Sequence, residues 1–116
     1  MVEPAEYVPQ RGDVVRILLN PQVWYEQSGF RPAIIISPAS YHGKAGLALF
    51  CPISADIKGY PFEVALPEGL PVSGVVLADQ AKSMDWRSRK TEFVGRLPAS
   101  VISEISGKLQ TLLRGV

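Results

Sequence analysis

The stretch Pro32-Ala33-Ile34-Ile35-Ile36-Ser37-Pro38 decides how this chain folds. It is short, rich in isoleucine and stopped by Pro38, so it reads as a strand. Working outward, Arg11-Gly12-Asp13 leads into a first strand, Val14–Leu19, closed by Asn20-Pro21, and the stretch from Gln22 to Phe30 has neither helical nor strand period and reads as a loop. On the other side a turn around His42-Gly43-Lys44-Ala45-Gly46 feeds a third strand, Leu47–Ile53. Pro61–Leu66, Gly74–Ala78 and Thr91–Arg96 follow as further short strands. After Pro98, the residues Val101, Ile102, Ile105, Leu109, Leu112 and Leu113 recur at three-to-four-residue spacing, which predicts one amphipathic helix. Its stripe must bury against the strands or against another copy of the chain.

Ten prolines and ten glycines punctuate the 116 residues at the spacing of short strands and tight turns. The expected fold is therefore mainly β with minor α, a small barrel or sandwich with a C-terminal helix, in a single domain over residues 1–116. A hydrophobic content of 47% suffices for one core, and the apolar runs are strand-length, too short for a membrane span. The acidic start Met1-Val2-Glu3-Pro4-Ala5-Glu6 has no secretory pattern, so a cytoplasmic location and no membrane association are expected.

One cysteine and one histidine form no cluster of metal ligands. Cys51 sits in an apolar strand pattern and is expected to be an inert core thiol; His42 reads as a solvated loop residue, which leaves no serine–histidine–aspartate triad to build. The net charge of +1 identifies no polyanion partner, although Lys82, Arg87, Arg89, Lys90 and Arg96 make one segment locally basic.

Unusual polar residues collect in three segments that follow the first, third and fifth strands: Glu26, Gln27 and Arg31; Ser54, Asp56 and Lys58; Asp79, Gln80, Lys82 and Ser83. If the sheet curls, these segments share a rim. Arg31 is held by Pro32 at the entrance to a strand, and a guanidinium that keeps its proton suits the stabilisation of phosphate charge. Ser54 can donate to a phosphate oxygen, and Glu26 can accept a proton. A surface ion pair between Arg31 and Glu26, with Ser54 only satisfying a turn, accounts for the same residues and stays open on chemistry alone.

Ordered strings add to this reading. Tyr7-Val8-Pro9, Gly12-Asp13, Glu26-Gln27, Gly29, Arg31-Pro32-Ala33, Ser37-Pro38, Tyr41, Pro52, Lys58 through Val64, Gly74-Val75, Leu77 through Gln80, Lys82-Ser83, Trp86-Arg87 and Arg89 together resemble the MazF/PemK family of toxin ribonucleases. The resemblance runs from near the N-terminus to about Arg89, and the final helix is similar in character only. It implies an SH3-like barrel of the CcdB/PemK type, a homodimer, and a cytoplasmic endoribonuclease that cuts single-stranded RNA at short sequences without metal or cofactor. It also implies a cognate MazE-like antitoxin whose flexible tail occupies the RNA groove. The family's catalytic arginine and threonine fall on Arg31 and Ser54, the latter a departure that keeps the hydroxyl and loses a methyl group. Plasmid-type relatives carry an arginine where this chain has Leu77.

The simplest metal-free route is attack by the RNA's own 2′-hydroxyl, with Arg31 holding the phosphorane charge, Ser54 orienting the phosphate and Glu26 as the candidate proton acceptor. Asn20, Gln27, Lys58, Gln80 and Lys82 are the expected RNA contacts. Trp24 and Trp86 can stack on bases or be buried. A non-enzymatic toxin like CcdB and an SH3-like protein-binding module are the alternatives.

Overall fold

Cross-strand pairing, not helix packing, holds the molecule together. The structure is a computed structural model that describes residues 7–19 and 29–115. Seven strands, β1 (Asp13–Leu19), β2 (Gly29–Ile35), β3 (Leu47–Ser54), β4 (Glu63–Ala65), β5 (Val75–Leu77), β6 (Lys82–Asp85) and β7 (Glu92–Arg96), pair antiparallel throughout. Their spatial order is β4-β5-β3-β2-β1-β7, with β6 also on β3. A short helix α1 (Ala39–Ala45) joins β2 to β3, and α2 (Ala99–Arg114) closes the chain. The mainly β architecture with a terminal helix is the one expected from the sequence. No helix among the described residues is long and apolar enough to cross a membrane.

Strand alternation explains why the central strands are apolar almost without interruption. Val15, Ile17, Leu19, Ala33, Ile35, Ala48 and Phe50 point to one side, where Met84 and Trp86 complete a core. Their neighbours Val14, Ile34, Cys51 and Ile53 point to the other and pack with Val64, Val76, Leu97 and Ile105 of α2. A sheet buried on both faces needs apolar residues at both parities. The proximal part of the α2 stripe therefore lies on the sheet: Val101 and Ile102 pack against the core and Ile105 is buried. Gly12 is the contact point, since a Cβ there would meet the Ile102 Cδ1 atom at 2.3 Å. The distal leucines differ, with Leu112 43% and Leu113 77% exposed.

Several expectations are corrected. Residues 82–85, expected in a loop, form β6, whose Phe50↔Lys82 and Ala48↔Met84 pairings put it on the edge of β3. The turn expected at residues 42–46 is largely α1, ended by Gly46 in the left-handed conformation. His42, expected in solvent, is fully buried. Its Nδ1 meets the Pro9 carbonyl at 2.6 Å, which can only accept, so Nδ1 carries the proton. Nε2 then accepts from Ser37 Oγ, which itself accepts the Leu49 amide at 2.8 Å. The His42 carbonyl accepts from the Trp86 indole at 3.1 Å. This histidine fastens the N-terminal arm to the first core.

A second knot explains the Tyr7 and Asp13 strings. The buried Asp13 carboxylate accepts from Tyr7 Oη, from the Gln10 amide at 2.9 Å and from Arg96 Nη1 at 3.0 Å. Burial, then the adjacent Asp13, push the Tyr7 phenol far above its ordinary value.

Candidate active site

Arg31 lies inside β2, opposite Ile17 of β1, rather than at the mouth of a strand as expected. The ladder from β2 to β3 runs Ile35↔Phe50, Ile34↔Cys51, Ala33↔Pro52. It stops there because Pro32 and Pro52 have no amide hydrogen with which to extend it. Arg31 lies two residues beyond Ala33 on β2 and Ser54 two residues beyond Pro52 on β3, so the ladder ends short of both. Of the two residues singled out for catalysis, Ser54 lines a cavity and Arg31 is not among its wall residues.

Ser54 is the last residue of β3, buried, and pairs with Val75 of β5. Its Oγ accepts the Asp56 amide at 3.1 Å. A hydroxyl engaged as acceptor keeps its hydrogen for donation. Ser54 opens a cavity of about 570 Å³ walled by residues 54–56, by Lys58, Tyr60, Phe62 and Glu63, and by Leu77, Asp79 and Gln80. Three expected site residues, Ser54, Lys58 and Gln80, therefore meet around one hollow. Lys82 does not join them: it is exposed on β6, outside that lining. Asn20, Glu26 and Gln27, and with them Trp24, lie outside the described residues. Trp86 is buried in the first core beneath the Arg87 guanidinium, 4.7 Å from the ring centre, which removes it as a base-stacking surface.

The walls carry three carboxylates, Asp56, Glu63 and Asp79, against one ammonium. Lys58 Nζ is 3.8 Å from Asp56 and 5.8 Å from the centre of the Tyr60 ring. Glu63 is bound to backbone: its Oε2 accepts the Lys58 amide at 3.1 Å and its Oε1 the Gly59 amide at 2.9 Å. The sequence reading missed Glu63 and Tyr60 as parts of the site. The signal was a glycine in a loop followed four residues later by a carboxylate able to reach back to its amide.

Cys51 plays no part in this chemistry. Burial, then the Asp79 charge, push its thiol up to about 12, so it stays protonated at neutral pH. Arg89 is structural on at least one side, as its Nη1 donates to the Leu18 carbonyl at 3.1 Å and its own carbonyl accepts the Leu18 amide at 2.8 Å. Among the described residues no three histidine, cysteine, aspartate or glutamate side chains group as metal ligands.

Comparison with known proteins gives this arrangement a lineage. Residues 10–113 match the model of the PemK-like, MazF-like toxin of type II toxin-antitoxin systems. The chain is 39% identical to the endoribonuclease toxin MazF of Escherichia coli K12 over 109 residues, which is 94% of this chain and 97% of that one. Its structure is similar to the crystal structure of MazF from Deinococcus radiodurans, with a TM-score of 0.87, 51% identity, and coverage of 95% of this chain and 100% of that one. A MazE–MazF structure from the same organism matches with a TM-score of 0.84 and 48% identity, over 93% of this chain and 97% of that one. With nearly the whole chain matched at this identity and with this fold, the protein belongs to the PemK-like, MazF-like family of toxins of type II toxin-antitoxin systems.

Proposed function

We propose that the chain is the toxin of such a system, a metal-independent endoribonuclease that cuts single-stranded messenger RNA at a short sequence in the cytoplasm. The observation that supports this reading is the cavity whose wall gathers Ser54, Lys58 and Gln80. The relatives named endoribonucleases support it. In the proposed reaction the 2′-oxygen of the substrate bonds to the neighbouring phosphorus and the bond from phosphorus to the 5′-oxygen breaks. The 2′-proton passes to Glu26, and the departing 5′-oxygen takes up a proton from water, leaving a 2′,3′-cyclic phosphate and a 5′-hydroxyl. Arg31 stabilises the charge on the pentacoordinate phosphorus, and Ser54 donates to a phosphate oxygen. Asn20, Gln27, Lys58, Gln80 and Lys82 contact the strand, with Lys82 on the outer run of β6.

The active form is a homodimer restrained by a MazE-like antitoxin, a partner supported by the Deinococcus complexes. The exposed Leu112 and Leu113 on α2 are compatible with assembly of two copies.

Purified protein incubated with a long RNA in excess chelator is expected to yield fragments with cyclic phosphate ends, while a DNA strand of the same sequence survives. Intact RNA would sink the nuclease reading, and a cut DNA would overturn the 2′-hydroxyl as nucleophile. Ser54→Ala is expected to slow cleavage about 100-fold, the effect of losing one positioned donor to a developing charge. Ser54→Thr keeps that donor, and its rate should stay near wild type; equal losses in both variants would argue that the hydroxyl does not act on the phosphate.

A further inference from the structure

We infer that Glu63 is a positioning residue for the RNA strand, acting by holding the loop that presents Lys58 and Tyr60 to the cavity. The inference rests on the proposed nucleic-acid function of that cavity. Residues 55–61 are exposed along their whole length, so burial does little to order them. What orders them is Glu63. Its two carboxylate oxygens take the consecutive amides of Lys58 and Gly59, and its own amide donates to the Tyr60 carbonyl at 3.0 Å. Gly59, at φ +79, supplies the left-handed turn that aims both amides at one carboxylate.

The clamp is itself anchored twice. Glu63 pairs with Leu77 across β4 and β5, and its carbonyl accepts Lys108 Nζ from α2 at 2.8 Å. Lys108 also meets Glu104 at 3.4 Å. The rigid side of this contact is therefore sheet and helix, and the side it orders is the cavity wall. A loop already fixed loses less freedom when a strand binds, so the clamp acts on binding more than on the chemical step. A carboxylate bonded to two amides, with the Lys58 ammonium turned instead toward Asp56, leaves that ammonium within reach of a phosphate.

The test measures Kd for a labelled single-stranded DNA, which lacks the attacking hydroxyl, together with KM and kcat for the matching RNA. Glu63→Ala is expected to raise Kd and KM about tenfold, the cost of a lost charge-assisted hydrogen bond, with kcat within about threefold of wild type. Glu63→Gln keeps one acceptor oxygen and should fall between; it also serves if the alanine variant does not fold. In the Lys58→Ala background the same substitution should add little, because the group being positioned is gone. Unchanged Kd and KM in both Glu63 variants, or full additivity with Lys58→Ala, would overturn the inference. A wild-type protein that binds DNA but leaves RNA intact would defeat the nuclease reading alone, with Glu63 still judged by Kd. One that binds neither strand would defeat both.

Discussion

Replacing Arg31 with alanine is expected to lower the rate of RNA cleavage by about 10²–10³-fold or more, with the fold kept. The reasoning starts at the phosphorus. In the proposed reaction negative charge builds on the phosphate oxygens as the 2′-oxygen attacks, and a guanidinium offers a positive charge and several donors in one plane. Arg31 sits in β2, across from Ile17 and on the same face as Ala33, so its backbone is fixed by strand pairing before substrate arrives. Preorganisation of that kind spares the site reorganisation at the transition state. Arg31 is half-buried and belongs to neither apolar core, so truncation should cost stability only about 1 kcal/mol or less. Arg31→Lys keeps the charge but not the planar fork and should retain a small part of the rate. Single-turnover cleavage of a defined RNA, with a thermal melt beside it, separates the effects. An alanine variant cutting within threefold of wild type would remove Arg31 from the mechanism.

The strands that carry Arg31 and Ser54 were readable because both faces of the sheet are buried, and such strands announce themselves as apolar runs. What failed to announce itself was held by distant partners. Residues 82–85 contain a single apolar side chain, Met84, so β6 has no pattern of its own and exists because β3 offers it an edge. His42 looked solvated beside Tyr41 and Gly43, yet its ring is held by Ser37 and by Pro9, a residue 33 positions away in the chain. Pro32 reads as the boundary of a strand because proline restricts the residue before it. In the fold β2 continues through it on the β1 side, and only the ladder toward β3 ends. Arg31 can be named from the chain because the string Arg31-Pro32-Ala33 carries it, and Ser54 because it falls where the family has a threonine. How their two strands pair is a matter of register, which no local pattern encodes. For Glu63 the one local cue is its spacing of four from Gly59, and that spacing by itself does not say that the carboxylate takes two loop amides.

Gly74→Ala is expected to destabilise the protein by about 2–5 kcal/mol and to disable the site while doing so. Gly74 has φ +123, a conformation that residues with a side chain rarely adopt, and a Cβ built there would lie 2.1 Å from the Ser54 carbonyl oxygen and 2.9 Å from its carbonyl carbon. Both are backbone atoms of a paired strand, so no flexible side chain can yield. Relief requires moving either the end of β3 or the start of β5, which are joined at Ser54↔Val75. It would also strain the bond from the Leu66 amide to the Gly74 carbonyl at 3.0 Å. Against a total stability of about 5–15 kcal/mol, the loss should lower Tm by roughly 10–20 °C. Because the atoms that must move belong to Ser54, cleavage measured well below the lowered Tm should fall further than the folded fraction does. Gly107→Ala supplies the opposite sign: that glycine is exposed within α2 with nothing within 4 Å of a new Cβ, and alanine there should stabilise by about 0.5–1 kcal/mol. A Gly74→Ala protein melting within 2 °C of wild type, or one fully active when folded, would mean that the close approach of Gly74 to Ser54 does not hold the Ser54 hydroxyl in the place the proposed reaction needs.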